Sequence, residues 1–238
     1  MMSTLKSLLA AAVAVTGIAL TSCNDSESGG NNGPDRYVNF VTLAENTPEG
    51  SVMTFRKDGD SPLITLTSNQ QFDTSIFKAN TRVVVDYIPA SGDGYASGPV
   101  TLVSAVNTEG GGAPVQAKTA EETRNWASDL VSVNLVQRTG EYLNLVFTAS
   151  TRRDPKECAV YVDKATIGTE CPCLHLIFEA SDTGVADPYA FFASYDISEV
   201  WNAESTKRIR VYYADYMSPT HYTEITKILT ENNNKPLQ

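Results

Sequence analysis

From Tyr37 onward the apolar residues alternate with polar ones or run in short blocks, rather than recurring at helical spacing. A side-chain period of two marks strands that lay one face on a core. Stretches such as Asp58-Gly59-Asp60-Ser61-Pro62 and Ser91-Gly92-Asp93-Gly94 punctuate the blocks, and these residue types supply the backbone conformations that reverse a chain. The pattern predicts an all-β protein.

Five strands are expected first, at Tyr37 to Leu43, Val52 to Lys57, Leu63 to Thr67, Arg82 to Ile88 and Val100 to Val106. Short strands at such regular spacing fit a small closed or half-closed barrel over 37–108. A break follows at Thr108-Glu109-Gly110-Gly111-Gly112-Ala113-Pro114, so 109–125 reads as a Gly-rich linker, with one or two helical turns between Ala117 and Ala127. Seven further strands are expected over 126–230, at Leu130 to Val136, Tyr142 to Ala149, Ala159 to Val162, Leu174 to Phe178, Tyr189 to Tyr195, Ile209 to Tyr213 and Tyr222 to Ile228. That series predicts an antiparallel β-sandwich in which Leu143, Leu145 and Phe147 share the core face. Residues 231–238 read as a disordered tail.

The N-terminus has a different logic. Lys6 precedes an uncharged apolar run from Leu8 to Leu20, which as a helix at about 1.5 Å per residue falls short of the roughly 30 Å hydrocarbon core. It reads as a cleaved signal peptide, 1–22. Leu20-Thr21-Ser22-Cys23 resembles the bacterial lipobox, which implies diacylation of Cys23 and a membrane partner reached through that anchor. The polar stretch from Asn24 to Pro34 has almost nothing to bury, so 23–36 is expected to be a flexible tether. Its acidic residues close behind Cys23 resemble the signal that carries Bacteroidetes lipoproteins to the outer face of the outer membrane. The location implied is the cell envelope, on the outer membrane, with periplasmic and surface-facing orientations both open.

Asn80-Thr81-Arg82-Val83-Val84-Val85-Asp86-Tyr87 in the fourth barrel strand and Gly140-Glu141-Tyr142-Leu143-Asn144-Leu145-Val146-Phe147 at the start of the sandwich, together with the lipobox, carry a wider likeness. Over nearly the whole mature length the chain resembles the NigD-like lipoproteins of Bacteroidetes. That resemblance implies an N-terminal OB-like barrel followed by a C-terminal β-sandwich, and no molecular activity. The sequence departs from the family pattern at Cys171-Pro172-Cys173-Leu174-His175.

Charge narrows the partners. Lys and Arg number 18 against 28 Asp and Glu, a formal net of -10, which disfavours phosphate backbones. The barrel itself holds four basic residues, Arg56, Lys57, Lys78 and Arg82, against seven acidic ones, whereas nucleic-acid OB folds pair aromatics with a positive groove. Nucleic acid is therefore not expected as a partner. No Gly-x-Ser-x-Gly elbow, His-Glu-x-x-His or phosphate-binding glycine loop occurs, so no catalytic residue and no cofactor are assigned.

Cys158, Cys171, Cys173 and His175 carry the chemistry most worth following. A hairpin turning near Ala165 and Thr166 would set Cys158 opposite or diagonal to Cys173, at Cα separations of about 4.5 to 5.5 Å that suit a disulfide. An exported chain meets oxidising surroundings, so a bridge from Cys158 to Cys173 or Cys171 is the leading reading. Unpaired buried thiols and a metal site formed by Cys158, Cys171, Cys173 and His175 are the alternatives. Tyrosines cluster near the C-terminus, and Tyr213 and Tyr216 are the candidates for ligand-facing aromatics. The leading function is a non-enzymatic envelope lipoprotein that binds or scaffolds another envelope component, protein or glycan. A carbohydrate-binding surface module is the second reading and a metal-binding or degradative protein the third.

Overall fold

The computed structural model describes residues 34–151, 154–181, 188–216 and 218–227. The expected signal peptide, Cys23, most of the expected tether and the expected C-terminal tail lie outside these residues.

Strands β1 (Tyr37–Thr47), β2 (Gly50–Phe55), β3 (Ile64–Ser68), β4 (Thr81–Pro89) and β5 (Gly98–Asn107) close a barrel in the order β1-β2-β3-β5-β4. β1 is long enough to pair with both β2 and β4, and β3 closes on β5 through a short parallel pairing. This is the expected OB-like barrel. Its interior is filled by Val41, Leu43, Met53, Leu66, Val83, Val85 and Tyr87, all fully buried.

The remaining strands form two sheets face to face. One holds β6 (Gln116–Lys118), β9 (Glu157–Asp163), β10 (Cys173–Glu179), β12 (Arg208–Tyr213) and β13 (His221–Thr226), in the order β13-β12-β10-β9-β6. The other runs β11-β8-β7, from β7 (Ser132–Thr139), β8 (Tyr142–Ser150) and β11 (Pro188–Asp196). A short helix, α1 (Ser198–Trp201), follows β11 and buries Val200 and Trp201. Leu143, Leu145 and Phe147 do share the core face, against Leu174, Leu176, Phe178, Ile209 and Val211 of the facing sheet.

The sandwich departs from the expected antiparallel pattern at two pairs. β10 and β12 are parallel, because the chain crosses to the second sheet as β11 and returns in the same direction. β6 and β9 are parallel as well. The segment read as a linker also differs. Residues 109–115 run alongside β11, with backbone bonds from Glu109 to Phe192, Gly112 to Ser194 and Val115 to Asp196, and the chain then enters the sheet as β6. Only a single 3-10 turn, Glu121–Thr123, breaks the path to β7.

Strands buried on both faces read as continuous apolar runs. β4 turns Val83, Val85 and Tyr87 into the barrel and Val84 outward, while β8 turns Asn144 and Val146 away from the sandwich core. Val84, Phe40, Val146 and Phe192 form a third buried cluster that joins barrel to sandwich.

Candidate functional site at the junction of barrel and sandwich

The junction is built on one buried cation. Arg82 projects from β4 toward the sandwich and is 3% exposed. Its Nε donates to Ser194 Oγ at 3.1 Å, Nη1 to Thr42 Oγ1 at 3.2 Å, and Nη2 to the Phe40 carbonyl and to Asn144 Oδ1, both at 3.2 Å. The guanidinium lies 4.4 Å from the centroid of the Tyr142 ring. All of these partners are neutral, and burial alone brings the Arg82 pKa down to about 10; a guanidinium so far above neutral pH stays charged. The Asn144 carbonyl also accepts from Ser194 Oγ, and its amide donates to Thr139 Oγ1 at 2.7 Å, so the network is satisfied on every side. The two segments that carried the family likeness thus meet at this guanidinium.

The glycine run is fitted to the same place. Gly112 has φ +85°, and a Cβ there would fall 2.5 Å from Arg82 Cγ. The Gly111 carbonyl accepts the Arg82 backbone N–H.

A second bridge joins the β2–β3 loop to the β7–β8 turn. Arg138 grips the Asp60 carboxylate with both Nη atoms, at 2.9 and 2.8 Å, while its guanidinium lies 4.3 Å from the Trp201 ring centroid. The Arg138 hydrogen bond holds the Asp60 carboxyl below its usual range. Backbone bonds from Gly59 to Arg138 and from Gly140 to Gly59 fix the loop in place.

Between the two bridges opens a cleft of about 280 Å³. Val38, Phe40 and Leu135 are its apolar lining, Arg56, Lys57 and Gln137 are its accessible polar residues, and the amides of Asn39 and Asn144, also along its lining, are engaged with Tyr87 and with the Arg82 network. Lys57 Nζ sits 4.4 Å from the Tyr95 ring centroid, and Gln137 donates to the Lys57 carbonyl. Pockets of this kind, largely pre-formed at a boundary between domains with a few convergent polar groups, suit ligand binding. Asp58 is the carboxylate among its lining residues, so the carboxylate pair of a glycosidase is not brought together there.

The cysteines separate. Cys158 lies opposite Phe178, five positions along β10 from Cys173. An odd displacement puts the two on opposite faces: Cys158 packs against the sandwich core, whereas Cys173 shares the outer face with His175. The expected bridge from Cys158 to Cys173 or Cys171 is therefore not formed, and all three are free thiols. The connection spends residues on a 3-10 turn, Lys164–Thr166, and a further turn at Gly168, which moves the pairing register. The four metal-ligand candidates do not converge either, and the described residues contain no cluster able to hold a metal ion.

His175 has a different occupation. Its ring lies between Trp126 (centroids 4.0 Å, planes 9° apart) and Tyr212 (5.0 Å, 13°), and Tyr222 follows Tyr212 at 5.3 Å. Tyr161, His175, Tyr212 and Tyr222 occupy directly paired positions on β9, β10, β12 and β13. Burial brings the His175 pKa down to about 4. Of the two tyrosines singled out, Tyr213 packs against the sandwich core, stacks on His221 and shares a hydrogen bond with Thr223. Tyr216 is 65% exposed, so the pair does not form a common surface.

Arg82 and the aromatic row escaped the sequence reading. Tyr212 and Tyr222 were legible as strand residues, but their alignment with His175 depends on a pairing across non-consecutive strands.

No protein-family model and no curated protein matches the sequence. Solved structures do match. A protein of unknown function, DUF1344, from Bacteroides vulgatus superposes with a TM-score of 0.62 at 12% identity, covering 86% of this chain and 96% of that one. A NigD-like immunity protein from Bacteroides caccae gives a TM-score of 0.54 at 14% identity, covering 80% and 96%. The chain has the NigD-like fold. A Bacteroides fragilis protein designated a "putative lipoprotein" shares it, with a TM-score of 0.56 at 10% identity over 83% of this chain and all of that one. The NigD-like fold therefore spans both the barrel and the sandwich.

Proposed function

We propose that the chain is a non-enzymatic lipoprotein of the bacterial cell envelope, anchored through Cys23 to the outer membrane, and that it binds another envelope component in the cleft between barrel and sandwich. The observation that carries this reading is the cleft itself. Its walls belong to two domains locked by the Arg82 and Arg138 bridges, so its polar groups are positioned before any ligand arrives, and pre-organisation of this kind lowers the ordering cost of binding. Arg56 and Lys57 give the cleft a positive side on an otherwise acidic chain, which favours a partner offering acidic or carbonyl groups. Among the structural neighbours, the one called a NigD-like immunity protein supports a non-catalytic role, and the one designated a "putative lipoprotein" supports the envelope anchor.

A glycan-binding platform has less support. Sugars stack on free aromatic faces, but both faces of His175 are covered and Tyr212 has a ring on either side.

The test is a photo-crosslinking amino acid placed at Gln137, at the cleft, or at Ile76, on an exposed barrel loop, in cells that make the lipidated protein. A discrete adduct at 137, absent at 76 and weakened at least several-fold by Lys57→Glu, is the expected result. Equal labelling at both positions, or none at 137, removes the cleft as the binding site.

A further inference from the structure

Cys171 and Cys173 remain after the cleft and the core are accounted for. Cys171 lies in the turn ahead of β10 and Cys173 opens the strand, both partly accessible. The Cys173 thiol points back along the chain, its Sγ 3.7 Å from the Cys171 carbonyl oxygen. Two residues of extended chain separate Cα atoms by about 6.5 Å, and a bend in that segment brings them closer; disulfides tolerate about 4.4 to 6.8 Å.

The backbone around the pair is pinned. Cys171 N–H donates to Thr169 Oγ1 at 3.3 Å and Cys173 N–H to Thr166 Oγ1 at 2.9 Å, while the Pro172 carbonyl accepts from Arg210 N–H at 3.1 Å. None of these three bonds engages either sulfur, and the Cys173 Sγ already lies toward Cys171. Cys158 has no path to either, since it faces the sandwich core from the far side of the sheet.

We propose that Cys171 and Cys173 form a thiol–disulfide exchange site that reacts with small disulfides and closes an intrachain Cys171–Cys173 bond. The Cys171 thiolate attacks one sulfur of the small disulfide and expels the first thiolate. Cys173, after losing its proton to solvent, attacks the Cys171 sulfur of the mixed disulfide and expels the second. Two protein thiols and one small disulfide thus yield one protein disulfide and two small thiols. Burial, with the adjacent Cys171 sulfur contributing, raises the Cys173 pKa, consistent with Cys173 as the resolving partner. The closed loop is short, so it constrains the unfolded chain less than the long loops that structural disulfides close. Tight, accessible bridges of this kind are also the readily reduced ones.

The test is to treat the reduced, folded protein with oxidised glutathione at mildly alkaline pH, alkylate in denaturant, digest with trypsin without reduction, and weigh the peptides. Trypsin leaves Cys158 on the peptide from Glu157 to Lys164 and both other cysteines on the peptide from Ala165 to Lys207. The proposal expects the longer peptide to be unalkylated and lighter by two hydrogens in the natural chain and in Cys158→Ala alike, with the shorter peptide of the natural chain fully alkylated at Cys158. A cross-link between the two peptides, a glutathione adduct retained without closure, or alkylation of both cysteines unchanged by the oxidant would each overturn it.

Discussion

Arg82 of the barrel donates to Asn144 of the sandwich across 3.2 Å, and no carboxylate accompanies them. A buried guanidinium held only by neutral acceptors and a tyrosine ring is costly to desolvate, so its value lies in fitting one arrangement of the two domains. Arg82→Met fills much of the volume but leaves Asn144, Ser194 and the Phe40 carbonyl short of a donor. At about 1 kcal/mol or more for each buried group left unpaired, the expected loss is about 3 kcal/mol in urea unfolding. A change below about 1 kcal/mol would show that the network relaxes around the gap.

The glycine run offers a paired comparison. Gly112→Ala combines a left-handed backbone with a Cβ 2.5 Å from Arg82 Cγ, whereas the Cβ of Gly111→Ala meets nothing within 4 Å. Both positions have positive φ, +56° at Gly111 and +85° at Gly112, so the backbone penalty falls on both substitutions, and what separates them is the contact with Arg82, where overpacking costs about 1 to 3 kcal/mol. Gly112→Ala should therefore lower unfolding stability by at least about 1 kcal/mol more than Gly111→Ala, and equal losses would dismiss the steric reading.

His175 makes stability depend on acid. Its pKa falls from 6.5 unfolded to about 4 folded, so between those values the unfolded chain binds more protons and stability declines as pH falls. Above pH 6.5 neither state is protonated and the contribution is complete. Allowing for the partial exposure of the ring, about 2 kcal/mol is expected to be lost on going from pH 7 to pH 4 through this residue. His175→Phe should remove that part of the acid sensitivity, seen as a smaller difference in urea midpoint between the two pH values. In Trp126→Ala the His175 titration followed by NMR should move upward, toward 6.5.

Cys158 and Cys171 should differ sharply in reactivity. Burial raises the Cys158 thiol well above its ordinary pKa, and the thiolate is the reactive form. In the folded protein at pH 8, Cys158→Ala should leave the fast phase of thiol labelling intact, and Cys171→Ser should remove a large share of it.

Cys23→Ser should abolish fatty-acid labelling of the chain and release it from the membrane fraction. Retention of both would remove the lipid anchor from the proposed function.

Each of the twelve strands expected from the sequence has a counterpart, because each carries either alternation, as in Leu143, Leu145 and Phe147, or the unbroken run of a strand buried on two faces, as in Val83-Val84-Val85. β6 went unseen because three residues, Gln116-Ala117-Lys118, cannot display a period. The cysteine pairing failed for a related reason. Register depends on how many residues a turn consumes, and nothing in Lys164 to Pro172 announces its length. Arg82 was legible as a charged residue in an apolar strand, but its neutral partners come from β1, β8 and β11, and pairings so distant in sequence leave no local trace.

The route of residues 109–118 sets an order of events for a chain that is made from its N-terminus. The barrel can close once Asn107 has emerged, but Glu109 must wait for Phe192 and Ala193, and Pro114 for Asp196. Contacts so far apart in sequence form late. Until β8 and β11 arrive, Val38, Phe40, Val84 and Val106 line an apolar wall on an otherwise finished barrel. That wall is a temporary adhesive face, so the half-emerged chain is the species on which a chaperone would have its purchase.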